Sequence, residues 1–438
     1  MRFTRLAVAI ALVAAGSTSF NVAAQSASND QALAELKAKI AALQEQIQNL
    51  EERSDAQSDV NVTTADQLDA LTNGGIKVET KGGLKVSTAD KAFEFSLGGR
   101  VHFDAYSFNS DVAATTDTTE FRRARLTLAG KAYGWEYKME QDFAAGSNLD
   151  GIRDMYLARN LWGGKLTIGH FKPYRSMEEL TSSNEILMME RPSTSATGIY
   201  NGRQFQQGIG YLRAGENYTL GVSAFNMRSA PTARSEGLGY AVRGTWAPLD
   251  SGTTTLHLGG SYSFENLNKG AASVSAVSHY GGRRGPSQTM LSTTAAAGTN
   301  NSHVATAGLE AAFRSGPVFL QSEYARASYG QANGSTQDVN AYYVQGSLML
   351  NGGLKPYKAA TGVFGSPKLD GNGLWELTAR FDMMKNNDVM DMKTRSMLLG
   401  VNYYINPNMR VMLNYTQGKN DKTGDEPAQI ALRTQFAF

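Results

Sequence analysis

The chain has 438 residues, no cysteine and a formal charge of only +2. Without cysteine there can be no disulfide framework, thiolate metal site or cysteine nucleophile, and a near-neutral chain without a basic tract points away from nucleic acid. Mean hydropathy is -0.34, and no apolar run beyond the N-terminus is long enough to cross a bilayer as a helix; a membrane barrel, whose strands meet lipid only at alternate residues, stays open.

Residues 1–24 have the make-up of a secretory signal peptide. Arg2 and Arg5 form its basic end, Leu6 to Ala15 its apolar core, and Val22-Ala23-Ala24 the small residues before a cut at Gln25. Leu33, Leu36, Ile40, Leu43, Ile47 and Leu50 then recur at alternating spacings of three and four, a heptad seam. So short a seam is marginal alone, which predicts a periplasmic coiled coil over 25–53 that needs partner copies. Isoleucine at a with leucine at d leans towards dimers. Residues 54–92, polar and rich in Gly, Thr and Asp, read as a linker.

From Phe93 the period becomes two. Phe93, Phe95, Leu97, Val101, Phe103 and Ala105 share one face, and Glu94, Ser96, Arg100, His102 and Asp104 the other. The pattern recurs in about sixteen segments up to Phe438, which predicts an all-β fold: a transmembrane antiparallel β-barrel over 93–438. Connections alternate in length, as barrel turns and loops do. Tight ones include Gly163-Gly164, Gly215-Glu216, Ser315-Gly316 and Asn406-Pro407; long ones include 109–118, 172–200, 267–301 and 352–372. The last two, rich in Gly, Ser and Ala, read as flexible extracellular caps. Tyr403, Tyr404, Tyr415, Phe436 and Phe438 fall near strand ends, where interfacial girdles sit. A barrel of this size holds a water-filled bore.

Function is then a matter of which charges face that bore. In Phe121-Arg122-Arg123-Ala124-Arg125-Leu126 the apolar parity turns Arg123 and Arg125 inwards, while Arg122 breaks parity at the start of its strand. Arg100, Lys138 and Arg153 join them from neighbouring strands, and the charged insertion 172–200, expected to fold into the bore, adds Lys172, Arg175 and Arg191. Cations lining a narrow bore favour anions, and guanidinium groups bind phosphate two-pronged. The competing interpretation is a solvated wall neutralised by Glu136, Glu140, Asp142 and Asp154. None of the five histidines stands in a motif with serine, no G-x-S-x-G occurs and no spacing suggests a metal, so no enzyme, cofactor or metal is expected.

These residues resemble the phosphate- and polyphosphate-selective porins O and P. The likeness rests on Gly99-Arg100-Val101, on Phe121 to Leu126, on Asp154-Met155-Tyr156-Leu157, and on Ile168 to Pro173 running through Glu178-Glu179-Leu180-Thr181-Ser182-Ser183 to Glu190-Arg191. It implies an outer-membrane homotrimer of barrels with an inward third loop and an arginine-rich path for inorganic phosphate or polyphosphate. It also implies Arg100, Arg122, Arg123 and Arg191 at the constriction, with Asp154 as the acid that orients them. Phosphate-selective members tend to carry lysine early in that loop, whereas Glu178, Glu179 and Glu185 stand here. That departure weakens the expected phosphate preference and leaves a general porin, or a surface adhesin or receptor barrel, as alternatives. It also makes a structural role natural for the glutamates, pinning the loop against wall arginines.

Overall fold

The computed structural model describes residues 25–73, 75–80, 82–145, 151–195, 199–200, 204–226, 237–266, 276–291, 303–330, 334–369 and 373–438. The expected signal peptide lies outside them. The chain divides into two compact units, Met1–Gly75 and Ile76–Phe438.

The first unit is a single helix, α1 (Gln25–Asn73). Its heptad residues are exposed, from Ile40 at 49% to Leu50 at 64%, and among the described residues of this unit the seam has no partner. The helix runs well beyond Arg53, so the linker expected over 54–92 is not one. Its C-terminal part keeps the heptad register but fills it with Ser54, Gln57, Asn61 and Thr64. Polar residues at a and d erase the amphipathic stripe by which a helix is recognised. The rest of the expected linker is a hairpin of Ile76–Glu79 and Leu84–Thr88, whose second strand pairs with the start of the first barrel strand.

The second unit is the barrel. Its strands are β1 (Glu94–Asn109), β2 (Thr118–Ala132), β3 (Trp135–Asp142), β4 (Ile152–Leu161), β5 (Gly164–Phe171), β6 (Gln206–Ala214), β7 (Tyr218–Asn226) and β8 (Leu238–Asp250). They continue as β9 (Thr254–Asn266), β10 (His303–Ser315), β11 (Val318–Gly330), β12 (Thr336–Met349), β13 (Leu374–Asn386), β14 (Lys393–Asn406), β15 (Met409–Asn420) and β16 (Ala428–Ala437). Each pairs antiparallel with the next, and β16 returns to β1 from Ala428↔Asn109 to Ala437↔Arg100. The sheet is closed, as an all-β membrane barrel must be, because an open edge in lipid would leave backbone groups unpaired. Along β15, Val411, Leu413 and Tyr415 point outwards, while Arg410, Met412, Asn414 and Thr416 are buried within. That row of polar groups is affordable only on the inner face; a cation turned to lipid near the midplane costs about 2–4 kcal/mol.

Turns after even-numbered strands other than β12 are tight. Tyr133-Gly134 and Trp162-Gly163 have positive φ at both positions, the primed turn geometry that matches strand twist. Both aromatic tips are more than four-fifths exposed, at 84% and 83%, which suits an interfacial belt. Parity corrects one expectation here. Residues 350–373 join β12 to β13, so they lie on the rim of the tight turns and are not an extracellular cap. This insertion enters the bore as a hairpin of Tyr357–Lys358 and Val363–Phe364. Val363 and Phe364 pack with Ala312 and Phe319 of the wall and with Met177 of the third loop. Arg243 holds its tip by donating to the carbonyls of Thr361 and Gly362 at 2.9 and 2.7 Å. The described part of the β9–β10 loop, 276–291, is likewise packed inside, with Ala276, Tyr280, Met290 and Leu291 buried.

Candidate anion-binding site

The third loop leaves β5 at Lys172-Pro173, where proline removes the donor a further strand residue would need. Ser176 has φ 47° and caps a single turn, α2 (Met177–Leu180), its hydroxyl accepting from the Glu179 amide at 3.2 Å. The wall completes the cap: the Glu323 carboxylate of β11 accepts from the Met177 and Glu178 amides at 2.7 and 3.0 Å. Arg175 is fully buried between Glu179 at 3.2 Å and Glu265 of β9. Its guanidinium lies over the rings of Tyr200 and Phe225 at 4.9 and 5.6 Å. Glu178 accepts from the amides of Gln321 and Gln345 at 2.8 and 3.3 Å. The loop then continues along the wall to β14 and β15. There Asn402 and Arg410 donate to the carbonyls of Leu187 and Ile186, and Asn414 accepts from the Met189 amide at 2.8 Å.

Beside the loop is a cavity of about 450 Å³. Strand β2 contributes Arg122, Arg123 and Arg125, and β4 contributes Arg153. The loop adds Glu190 and Arg191, the 276–291 segment adds His279 and Arg283, and β13 adds Arg380 and Asp382. Seven arginines thus face two carboxylates. The register of β1 on β2 explains how three arginines so close in sequence all reach inwards. His102 faces Arg123, and the next pair is Phe103 with Phe121, so Arg122 is the extra residue of a bulge, which re-aims one side chain without turning the rest of the strand over.

Residues 95–438 match the family described as phosphate-selective porin O and P. The chain belongs to that family. It is an outer-membrane porin, an anion channel, with the inward loop and arginine-lined bore described above. Porin O of Pseudomonas aeruginosa is 28% identical over 433 residues, covering 87% of this chain and 96% of that protein. Among solved structures, the barrel is similar to an anion-selective porin from Comamonas acidovorans, with a TM-score of 0.55 at 14% identity, covering 79% of this chain and all of that one. The trimer form of OmpT, an outer-membrane protein of Vibrio cholerae, matches with a TM-score of 0.52 at 12% identity over 79% of this chain and all of that one. At those identities the two structures bear on the fold alone.

Within the porin, the nine cationic and acidic residues singled out from sequence separate into three groups. Arg122, Arg123, Arg125 and Arg191 line the cavity together. Arg122 forks onto Glu190 at 2.8 and 2.9 Å. Arg125 is held by Asp142 and Glu140, both at 2.8 Å, while Arg191 donates to the carbonyls of Glu178 and Thr181, at 3.0 and 2.6 Å. Arg100, Lys138 and Asp154 form a second group, not part of the cavity lining. Arg100 pairs with Glu140 at 3.1 Å, and Lys138 with Asp154 at 2.5 Å. Lys172 and Arg175 serve the loop itself, Lys172 donating to the Glu179 and Thr181 carbonyls at 2.7 and 3.2 Å.

Two expectations are corrected by this geometry. Asp154 does not orient the arginines; Glu190, Asp142 and Glu140 do. Burial alone would push the Glu190 carboxyl up, but Arg122, Arg123 and Arg433 around it hold it well below the usual carboxylate range. Glu178 and Glu179 do pin the loop, yet not on wall arginines: their partners are wall amides and the loop's own Arg175. Sequence reasoning missed Arg380 and His279 altogether. The inward parity of Glu376, Thr378, Arg380 and Asp382 on β13 was a usable signal for the first; nothing local marks the second.

Proposed function

We propose that this porin passes anions, inorganic phosphate and its short polymers among them, by way of a binding site in the arginine-lined cavity. One observation carries the proposal: seven arginines and two carboxylates face one narrow space. Four of those arginines are orientated by carboxylates, and Arg123, Arg191 and Arg380 supply charge with little compensation. Arg123 comes no closer to an acid than 3.8 Å from Glu190. An anion entering gains from fixed, preorganised donors in a confined region where water screens poorly. In a planar bilayer under a KCl gradient, the reversal potential shows chloride preferred, and phosphate added to one side blocks the chloride current in a saturable way. Cation preference, or indifference to phosphate, rejects the proposal.

The general-porin alternative drew on the glutamates early in the third loop. Glu178 and Glu179 are buried in the wall contact, and Glu185 is paired with Lys358 of the inserted hairpin at 2.5 Å. None of the three lines the arginine-rich cavity, so anion selectivity is favoured over that alternative.

The exposed seam of α1 supports a further part of the proposal, a periplasmic coiled coil between the chains of a homotrimer. Three apolar heptads per helix are worth little alone, so they act by adding to contacts between barrels. Deleting 25–73 is expected to leave single-channel conductance unchanged and to lower, by several degrees, the temperature at which the oligomer dissociates on a semi-native gel. An unchanged dissociation temperature assigns the helix no part in assembly.

A further inference from the structure

The cavity has a second character besides its charge. Phe205, Met189, Leu398 and Ile152 are part of the same wall as the arginines. A bare oxyanion gains nothing from such a wall and gives up water to lie against it. Sites for organic ligands, by contrast, combine apolar walls with a few well-placed polar groups, in cavities of roughly 300–1,000 Å³, and this one has about 450 Å³.

Phe205 is not a stray core residue. His170 stacks on its ring with centroids 6.1 Å apart and planes inclined by 23°. Arg153 and Lys172 lie over the ring at 5.8 and 5.4 Å. Cations over the face of an aromatic ring fix its orientation, and the ring's electropositive edge is compatible with a carboxylate nearby.

The charge count also limits the ligand. Among the described residues, Arg191 and Arg380 make no ion pair; their partners are the carbonyls of Glu178, Thr181 and Glu190. Arg123 has only a longer contact with Glu190, at 3.8 Å, so these three are the cavity arginines least engaged by carboxylates. Three such cations match a ligand of one or two negative charges. A long polyanion would need the arginines held by Glu190, Asp142, Glu140 and Glu120, and would have to break those pairs.

We infer that the cavity takes an aromatic carboxylate in preference to a bare inorganic oxyanion. This rests on the anion-channel proposal above and names the ligand class that suits the same site best. The apolar body lies against Phe205 and Leu398, and the carboxylate meets Arg191 and Arg380.

The test uses the full-length oligomer in a planar bilayer. Chloride current is titrated with benzoate, with acetate, which has the same head and almost no body, and with inorganic phosphate. Benzoate is expected to half-block at a concentration about tenfold below that of acetate, the ratio that burial of one ring readily supplies, and below that of phosphate. Phe205→Ala should bring the benzoate-to-acetate ratio close to one; Phe205→Leu, apolar but without the ring, takes its place if the alanine variant does not fold. Equal block by benzoate and acetate, or tighter block by phosphate than by benzoate, overturns the inference while leaving an anion site in place. Block by none of the three overturns the anion site itself.

Discussion

Replacing Arg175 by methionine is expected to release the third loop from the wall while the barrel stays closed. Glu179 and Glu265 would then be buried with no cation between them. Breaking a buried pair by removing one partner costs about 3–5 kcal/mol. Methionine fills much of the space over Tyr200 and Phe225, so the loss is chiefly electrostatic. The interstrand ladder, from β1 through β16 and back, does not depend on Arg175, and the cost therefore falls on the loop. Limited proteolysis provides the reading: the variant should be cut within 172–205 under conditions in which the wild type resists, and its single-channel conductance should rise. Replacing all three residues together by Met and Leu gives a control of opposite sign, since exchanging a whole buried ion cluster for apolar groups is often neutral or stabilising. If the single variant resists protease and conducts as wild type, the loop is held by its second half, through Asn402, Arg410 and Asn414.

The residues that were legible in the sequence are those whose position follows from a period. Leu126 and Leu128 disclose which side of β2 faces lipid, and with it the inward course of Arg123 and Arg125. The same two-residue repeat counted out the strands and closed the barrel on Phe438. Arg122 shows where the period stops helping. Its inward course depends on a bulge, which is a property of the β1–β2 register and not of either strand alone. The inserted hairpin at 357–364 was misassigned for a related reason: length suggested a cap, whereas only the count of strands before it says which rim it leaves. Lys172 and Arg175 were read as pore cations because charge in a loop invites that reading. Whether such a cation faces water or its own loop's carbonyls is decided by tertiary packing, for which a sequence carries no period. The extension of α1 was lost because Ser54, Gln57, Asn61 and Thr64 keep the heptad but not its hydrophobicity.

Replacing Arg123 and Arg125 by alanine, one at a time, should separate charge that binds anions from charge that builds the wall. Each change removes one positive charge from the cavity. At an effective dielectric constant near 20, a unit charge about 4 Å away is worth about 4 kcal/mol to an anion, and mobile ions reduce this. A weakening of phosphate block by roughly ten- to a hundredfold is therefore expected for Arg123→Ala, with a smaller anion-to-cation permeability ratio. The barrel should fold normally, because the polar partners of Arg123 among the described residues are His102 at 3.3 Å and Glu190 at 3.8 Å, both on the inner side of the wall. Arg125→Ala goes further. Among the described residues it leaves Asp142 and Glu140 paired with Arg153 and Arg100, at 3.2 and 3.1 Å, and frees part of each carboxylate to turn towards the path. Selectivity should then fall towards unity or reverse. Arg125→Lys keeps the charge but not the fork that spans both acids, so its selectivity should lie between that of Arg125→Ala and the wild type. Wild-type selectivity and phosphate block in both alanine variants would reduce the cluster to wall, and the binding site would have to be sought at Arg191 and Arg380.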